Sequence, residues 1–297
     1  KKIIITGATG YIGSRLCKNL LQNNFKVGII KRNTSNLNLI SDFYHKIDSF
    51  DYDSSYESID NVIKIFNPDL ILHLASYQSL EHNTNELDSI INSNIVLGTY
   101  LIESMKNHNI RFFINTGTSW QNYNNENYNP VSLHAACKQA FIDIIKYYTE
   151  NQIIKVITLK LFDTYGKNDP RKKIFYYINK AIKENSKLDL TGGKQMLNIL
   201  HINDVIDAYA ISINRIFQER EKAYEEYNVR SMHNISLKDL VYKYLEFTGA
   251  NIEINWGAKP YRNREVMLPY DKGKILPGWS QNISIEDGLR ELSDSLQ

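Results

Sequence analysis

The sequence predicts an α/β fold: a Rossmann doubly wound parallel sheet with a smaller C-terminal substrate-binding lobe. Three observations carry this. Short apolar runs alternate with amphipathic helical stretches up to Gly166, the pattern of a parallel sheet covered on both faces. A glycine-rich turn, TGATGYIG at 6–13, joins the first apolar run to the first helical stretch. After Gly166 the alternation loosens, as a smaller and less regular second part would require.

Taken in order, KIIIT (2–6) reads as a buried strand, YIGSRLCKNLLQNN (11–24) as a helix and KVGIIK (26–31) as the second strand. SSYESIDNVIKIF (54–66) has helical spacing and leads into the strand DLILHLAS (69–76). A long helix over 86–108 precedes the strand IRFFINT (110–116), and a second over 131–151 precedes KVITLKLF (155–162). Beyond these, 170–185 and 203–217 are helical, with Asn203 or Asp204 as the cap of the latter. Strand-like pieces at 226–229 and 252–256 and a last helix over 284–296 complete the chain. Residues 1–166 are thus expected to form a dinucleotide-binding domain, with later returns near 199–230, and 167–297 mainly a substrate lobe.

The chain has 297 residues, 42% hydrophobic and 23% charged, with a net charge of +2. Its Lys and Arg residues are scattered, which argues against nucleic acid as a partner. No apolar run approaches the ~20 residues of a membrane span, and the N-terminal residues run straight into a strand. Cys17 and Cys137 fall in helical stretches and give no disulfide framework, so reduced thiols and a cytoplasmic location are expected. No Cys, His and acid cluster has metal-ligand spacing, so no metal is expected. The many Asn and Tyr residues read as compositional bias.

Glycines at 7, 10 and 13, after a strand and opening a helix, allow a tight turn and close approach of backbone to a pyrophosphate. Gly7, Thr9, Gly10, Tyr11, Ile12 and Gly13 are therefore the candidate cofactor contacts of this turn. A carboxylate about 20 residues past the glycines would bind an NAD ribose. The second strand instead ends in Lys31 and Arg32. Two cations suit a 2′-phosphate, which favours NADP(H) over NAD.

The GxxGxxG spacing at the head of the chain resembles the extended short-chain dehydrogenase/reductase family, the nucleotide-sugar epimerases, dehydratases and reductases. PDLILHLAS (68–76), NIVLGTYLIESM (94–105), TLKLFDTYG (158–166) and ILHINDVIDAY (199–209) look like its later landmarks. TGTSWQNYNNENYNPVSLHAACKQAF, INWGAKPYRNREVMLP and LPGWSQNISIEDGLREL look closest to the CDP-abequose and CDP-paratose synthase branch, which reduces 4-keto sugar nucleotides with NADPH. The resemblance implies that Asp51 and Tyr52 flank the adenine, although Asp48 and Asp53 compete for that register. It places Leu74, Ala75 and Ser76 along the cofactor cleft. It also implies a homodimer paired through the helices at 86–108 and 131–151, and a product destined for surface polysaccharide.

The same resemblance calls for a Tyr four residues before a Lys, and a Ser or Thr ending the fifth strand. Lys138 matches the lysine, where it would also hold the nicotinamide ribose, and Thr118 is the chosen hydroxyl, with Ser119 as runner-up against the substrate. The tyrosine position is His134. A phenol has a pKa near ~10 and an imidazole near ~6.5, and a neighbouring ammonium disfavours imidazolium. Three readings stay open: His134 acts as donor or relay below neutral pH, Tyr123 or Tyr128 supplies the proton, or the site is impaired. Arg262 and Arg264 are candidates for a substrate diphosphate or the nucleotide ribose. Asp163 would repel that diphosphate unless paired, and His201 reads as a buried core histidine. The expected activity is NADPH-dependent 4-ketoreduction of a deoxy nucleotide-sugar. An epimerase with tightly bound cofactor is the alternative within the enzymes, and a catalytically impaired nucleotide-binding homologue the alternative outside them. Dehydration is disfavoured because no Asp–Glu pair follows Thr118.

Overall fold

The computed structural model describes residues 1–218 and 223–294. Its centre is a seven-stranded sheet built from β1 (Lys2–Thr6), β2 (Lys26–Lys31), β3 (Asp48–Asp51), β4 (Leu70–His73), β5 (Phe112–Thr118), β6 (Lys155–Leu161) and β11 (Tyr224–Val229). The order is β11-β6-β5-β4-β1-β2-β3, and every pairing is parallel. Side chains alternate across a strand, so one sheet feeds two cores. Ile3, Ile5, Ile29, Leu72 and Ile114 join one, packed by α1 (Tyr11–Gln22) and α7 (Ile202–Ile216). Ile4, Ile30, Ile71 and Phe113 join the other, packed by α2 (Tyr56–Phe66), α4 (Leu97–Asn107) and α5 (Leu133–Glu150).

The lobe carries a third core around α6 (Ile174–Glu184), α8 (Leu237–Thr248) and α9 (Ile285–Asp294). Three small two-stranded sheets frame it. β7 (Asp163–Tyr165) pairs with β10 (Ile199–His201), β8 (Leu188–Leu190) with β13 (Ile254–Trp256), and β9 (Met196–Leu197) with β12 (Ile235–Ser236). Among the described residues, no helix is long and apolar enough to cross a membrane. The expected end of the last helix at 296 lies outside the described residues.

Four local readings are revised. The helix expected over 86–108 is divided: α3 (Leu87–Ile91) passes through a π-turn at Asn92–Val96 into α4. The Asn94 amide, wholly buried, donates to the Ile90 carbonyl at 2.8 Å inside that turn. α7 is capped by neither Asn203 nor Asp204. His201 Nδ1 accepts the Asn203 N–H at 3.3 Å, and this ring is buried as the sequence suggested. β3, DSFD, is too short and polar to show as an apolar run. Asparagine is more than bias: Asn67 and Asn185 end α2 and α6 in the left-handed region, with φ of 48° and 46°, a conformation this side chain tolerates.

Gly98 lets α4 and α5 meet, because a β-carbon there would lie 2.3 Å from Phe141. Gly98→Ala gains up to about 1 kcal/mol in helix propensity but overpacks a rigid aromatic, which costs about 1–3 kcal/mol. Urea unfolding is expected to show a net loss of stability, with Cm lowered at constant m.

Candidate active site

The glycine turn ends β1 and opens α1. Gly7 lies at φ +73°, and a β-carbon there would sit 2.7 Å from the Ala75 nitrogen. At Gly13 it would sit 2.1 Å from the Gly7 carbonyl, so neither position admits a side chain. At Gly10 the sole neighbour is the Gly7 carbonyl, at 3.3 Å, which leaves its outer face open. Gly10 caps α1 without a side-chain hydrogen bond, and no acid stands in the first turn. The first N–H groups and the helix dipole are thus free for an anion, and the cradle fits a dinucleotide pyrophosphate. Thr9 is half-buried, and Ile12 packs against the core. Tyr11 points elsewhere than expected: its hydroxyl donates to the Lys167 carbonyl at 3.1 Å, and the guanidinium groups of Arg15 and Arg171 lie 5.4 and 4.7 Å from its ring. Only its backbone is left for the turn.

At the end of β2 the expected pair of free cations is reduced to one. Lys31 faces Asp51 across the β2–β3 register and is hydrogen-bonded to it. Arg32 is exposed and has no carboxylate at ion-pair distance among the described residues. The competing carboxylates are committed elsewhere: Asp48 to Lys26 at 3.1 Å and Asp53 to Ser55 at 2.6 Å. The Tyr52 N–H donates to the Lys31 carbonyl at 2.8 Å, and its ring packs on the second core. Leu74 and Ala75 are tied to Thr6 through their N–H groups, at 3.2 and 3.1 Å. They hold the β4 end beside the glycine turn.

Ser132 caps α5 through the Ala135 N–H, and the helix carries His134 in its first turn and Lys138 one turn later on the same face. Both are buried, at 4% and 3% exposure. Lys138 Nζ and His134 Nδ1 have no hydrogen-bond partner among the described residues. Burial pulls Lys138 from its ordinary 10.5 to about 8. Burial, with the Lys138 charge behind it, pulls His134 from 6.5 to about 3. The imidazole is therefore neutral through the physiological range, which leaves it the part of a neutral donor or relay and gives no reason for an optimum below neutral pH. His134 Nε2 lies 3.0 Å from Ser76 Oγ. Ser76, expected along the cofactor, is thus bound to the imidazole, and its own hydroxyl donates to Asn94 Oδ1 at 2.7 Å. His73, buried between Phe113 and Phe141, bonds Thr6 through Nδ1 at 2.8 Å and is held well below its usual range by burial and by Lys138.

Thr118 ends β5 half-buried, its Oγ1 accepting the Trp120 N–H at 3.3 Å. Ser119 follows in a 3₁₀ turn over Ser119–Gln121. A cleft of about 1480 Å³, lined by Trp120, Asp163, Lys173 and Arg262, opens onto the lobe. Arg262 is not free for a diphosphate as expected: its guanidinium forks onto Glu265 at 2.9 and 2.8 Å. Arg264 bonds Asn129 Oδ1 and lies 4.3 Å over the Tyr123 ring, and Tyr128 is 51% exposed. Asp163 is paired with Lys173 at 2.9 Å. Asn94 was missed from sequence because a π-turn leaves no period of its own.

The family model for the NAD dependent epimerase/dehydratase family matches residues 3–229. The chain is 27% identical over 296 residues to CDP-abequose synthase of Salmonella muenchen, covering 98% of this chain and 97% of the relative. It is 29% identical over 271 residues to CDP-abequose synthase of Yersinia pseudotuberculosis, covering 90% and 91%. Among solved structures, UDP-glucuronic acid 4-epimerase of Bacillus cereus in complex with UDP-glucuronic acid and NAD superposes with a TM-score of 0.81 at 21% identity. That match covers 100% of this chain and 99% of the other.

Lys138 yields a prediction for the protein without cofactor. Its folded pKa lies below its unfolded value, so the fold carries the full cost of the buried charge below pH 8. The cost fades as pH rises toward 10.5 and the folded lysine gives up its proton first. Lys138→Met is expected to be more stable than wild type by about 3 kcal/mol at pH 7. Chemical denaturation across pH should show this advantage closing by the upper end of that window.

Proposed function

The chain belongs to the NAD dependent epimerase/dehydratase family, NAD(P)-dependent enzymes of nucleotide-sugar modification, and from that membership we propose that it reduces a 4-keto deoxy nucleotide-sugar, CDP-linked, with NADPH. The observation that carries this reading is the nearly end-to-end correspondence with two CDP-abequose synthases, lobe included. Exposed Arg32 at the end of β2, a strand without a carboxylate, supports a 2′-phosphate there. The turn at Gly7, Gly10 and Gly13 would hold the pyrophosphate and Lys138 the nicotinamide ribose. When bound, the cofactor supplies hydride to C4 of the sugar. Thr118 would donate its hydroxyl hydrogen to the carbonyl oxygen, and the Lys138 ammonium would stabilise the charge that grows there. In the cleft the sugar diphosphate would meet lysines of the 172–183 stretch, which line it alongside the Arg262–Glu265 pair. We expect a homodimer through α4 and α5, where Tyr147 is 65% exposed, and a product that feeds surface polysaccharide.

One observation favours a second reading, an NAD-retaining epimerase: the Lys31–Asp51 pair leaves a single free cation for a phosphate. The two separate cleanly. Incubation with NADPH and CDP-, dTDP- and UDP-linked 4-keto sugars should consume NADPH with the CDP sugar. Interconversion of epimers without net loss of absorbance would instead establish the epimerase, and binding without turnover an impaired homologue.

The pH profile should show no break near the free imidazole value. The rate should fall as pH rises through about 8, where Lys138 loses its proton. A limb near ~10 would return the role to a tyrosine such as Tyr123 or Tyr128.

A further inference from the structure

We propose that Ser76 is a catalytic residue of this site: its hydroxyl gives the proton to the substrate oxygen, and His134 stands behind it in a single tautomer set by Asn94. This rests on the reductase reading above.

The tautomer follows from donors and acceptors alone. Asn94 Nδ2 donates to two backbone carbonyls, Tyr77 at 3.0 Å and Ile90 at 2.8 Å. Carbonyls only accept, so the amide can point one way, with Oδ1 toward Ser76. Ser76 must then donate to Oδ1, at 2.7 Å, and has only lone pairs left for His134. Its contact with Nε2 at 3.0 Å therefore carries the imidazole proton on Nε2. Nδ1 is left bare, buried and without a partner, on the same helix face as Lys138. Among the described residues, the charge that bears on the ring is that of Lys138. Its partners from the segment after β4 and from the π-turn are neutral.

Reach points the same way. An imidazole reaches less far than a phenol, by less than the ~3 Å length of one hydrogen bond. Ser76 Oγ stands one hydrogen bond beyond Nε2, and Ser76 is exposed where His134 is buried. Serine and imidazole together span what one tyrosine side chain would.

The proton balance closes with these residues and water. Hydride addition to the carbonyl carbon leaves an alkoxide; the Ser76 hydroxyl turns toward it from Asn94 Oδ1 and gives up its proton. Ser76 Oγ takes the proton from Nε2, and Nδ1, which is not hydrogen-bonded to Lys138 directly, takes one from the Lys138 ammonium through a water bridging the two. The imidazole ends neutral in the other tautomer, the serine is restored, and the neutral lysine recovers its proton from solvent between turnovers.

Two measurements test this. Ser76→Ala should lower kcat for the CDP-4-keto sugar by about a hundredfold. On a His134→Tyr background the same change should cost little, because the phenol brings its own hydroxyl. Equal losses on both backgrounds, or none on either, would overturn the proposal. Nitrogen-15 NMR of the cofactor-free protein, with His134→Phe for assignment, should show the His134 proton on Nε2, redistributed in Ser76→Ala. A proton on Nδ1 in the wild type would overturn it too. If no keto sugar is reduced at all, the reductase reading falls, and the spectra alone decide whether Ser76 sets the imidazole.

Discussion

An ammonium buried without a partner is the constraint around which this site is arranged. Lys138 is 3% exposed, and its nitrogen has no hydrogen bond among the described residues. Stability alone would select against such a group, since a buried charge is costly unless paired. Its charge also reaches the two buried histidines, His73 and His134, and helps to keep both neutral. Keeping this lysine is an expense the fold meets elsewhere, through two well-packed cores on opposite faces of one sheet.

Those cores also bring the site's parts together. The parallel sheet sends the ends of β1, β2, β4 and β5 to one edge, where the glycine turn, Arg32, Ser76 and Thr118 gather. Ligands of open α/β sheets lie beyond the carboxyl ends of the strands for this reason. α5 runs across the same edge and presents His134 and Lys138 to it. The π-turn in the neighbouring helix turns Asn94 inward, so that a segment between two helices fixes the proton on a third.

Much of this was legible in the chain. The glycine turn, the alternation of strands and helices, and the one-turn spacing of His134 and Lys138 are local patterns with local causes. What escaped is non-local. Ser76 meets Asn94 18 positions away and His134 58 positions away, and nothing in either segment announces its partner. Lys31 looked free because Asp51 lies 20 residues on, at the end of a strand too polar to notice. Arg262 looked available because a guanidinium in a loop carries no mark of the carboxylate three residues later that occupies it.

The path of the chain between sheet and lobe has a mechanical consequence. After Gly166 the polypeptide enters the lobe, comes back as α7 and β11, leaves again for α8, and returns so that Leu276 and Trp279 pack in the first core before α9. Tyr209 on α7 also locks to Thr116 of β5 at 2.6 Å. Two bodies sewn by several crossings cannot swing on one hinge. Whatever closing the cleft needs must come from small flexing shared among many stitches, and a fragment cut after Gly166 would lose one wall of its own interior.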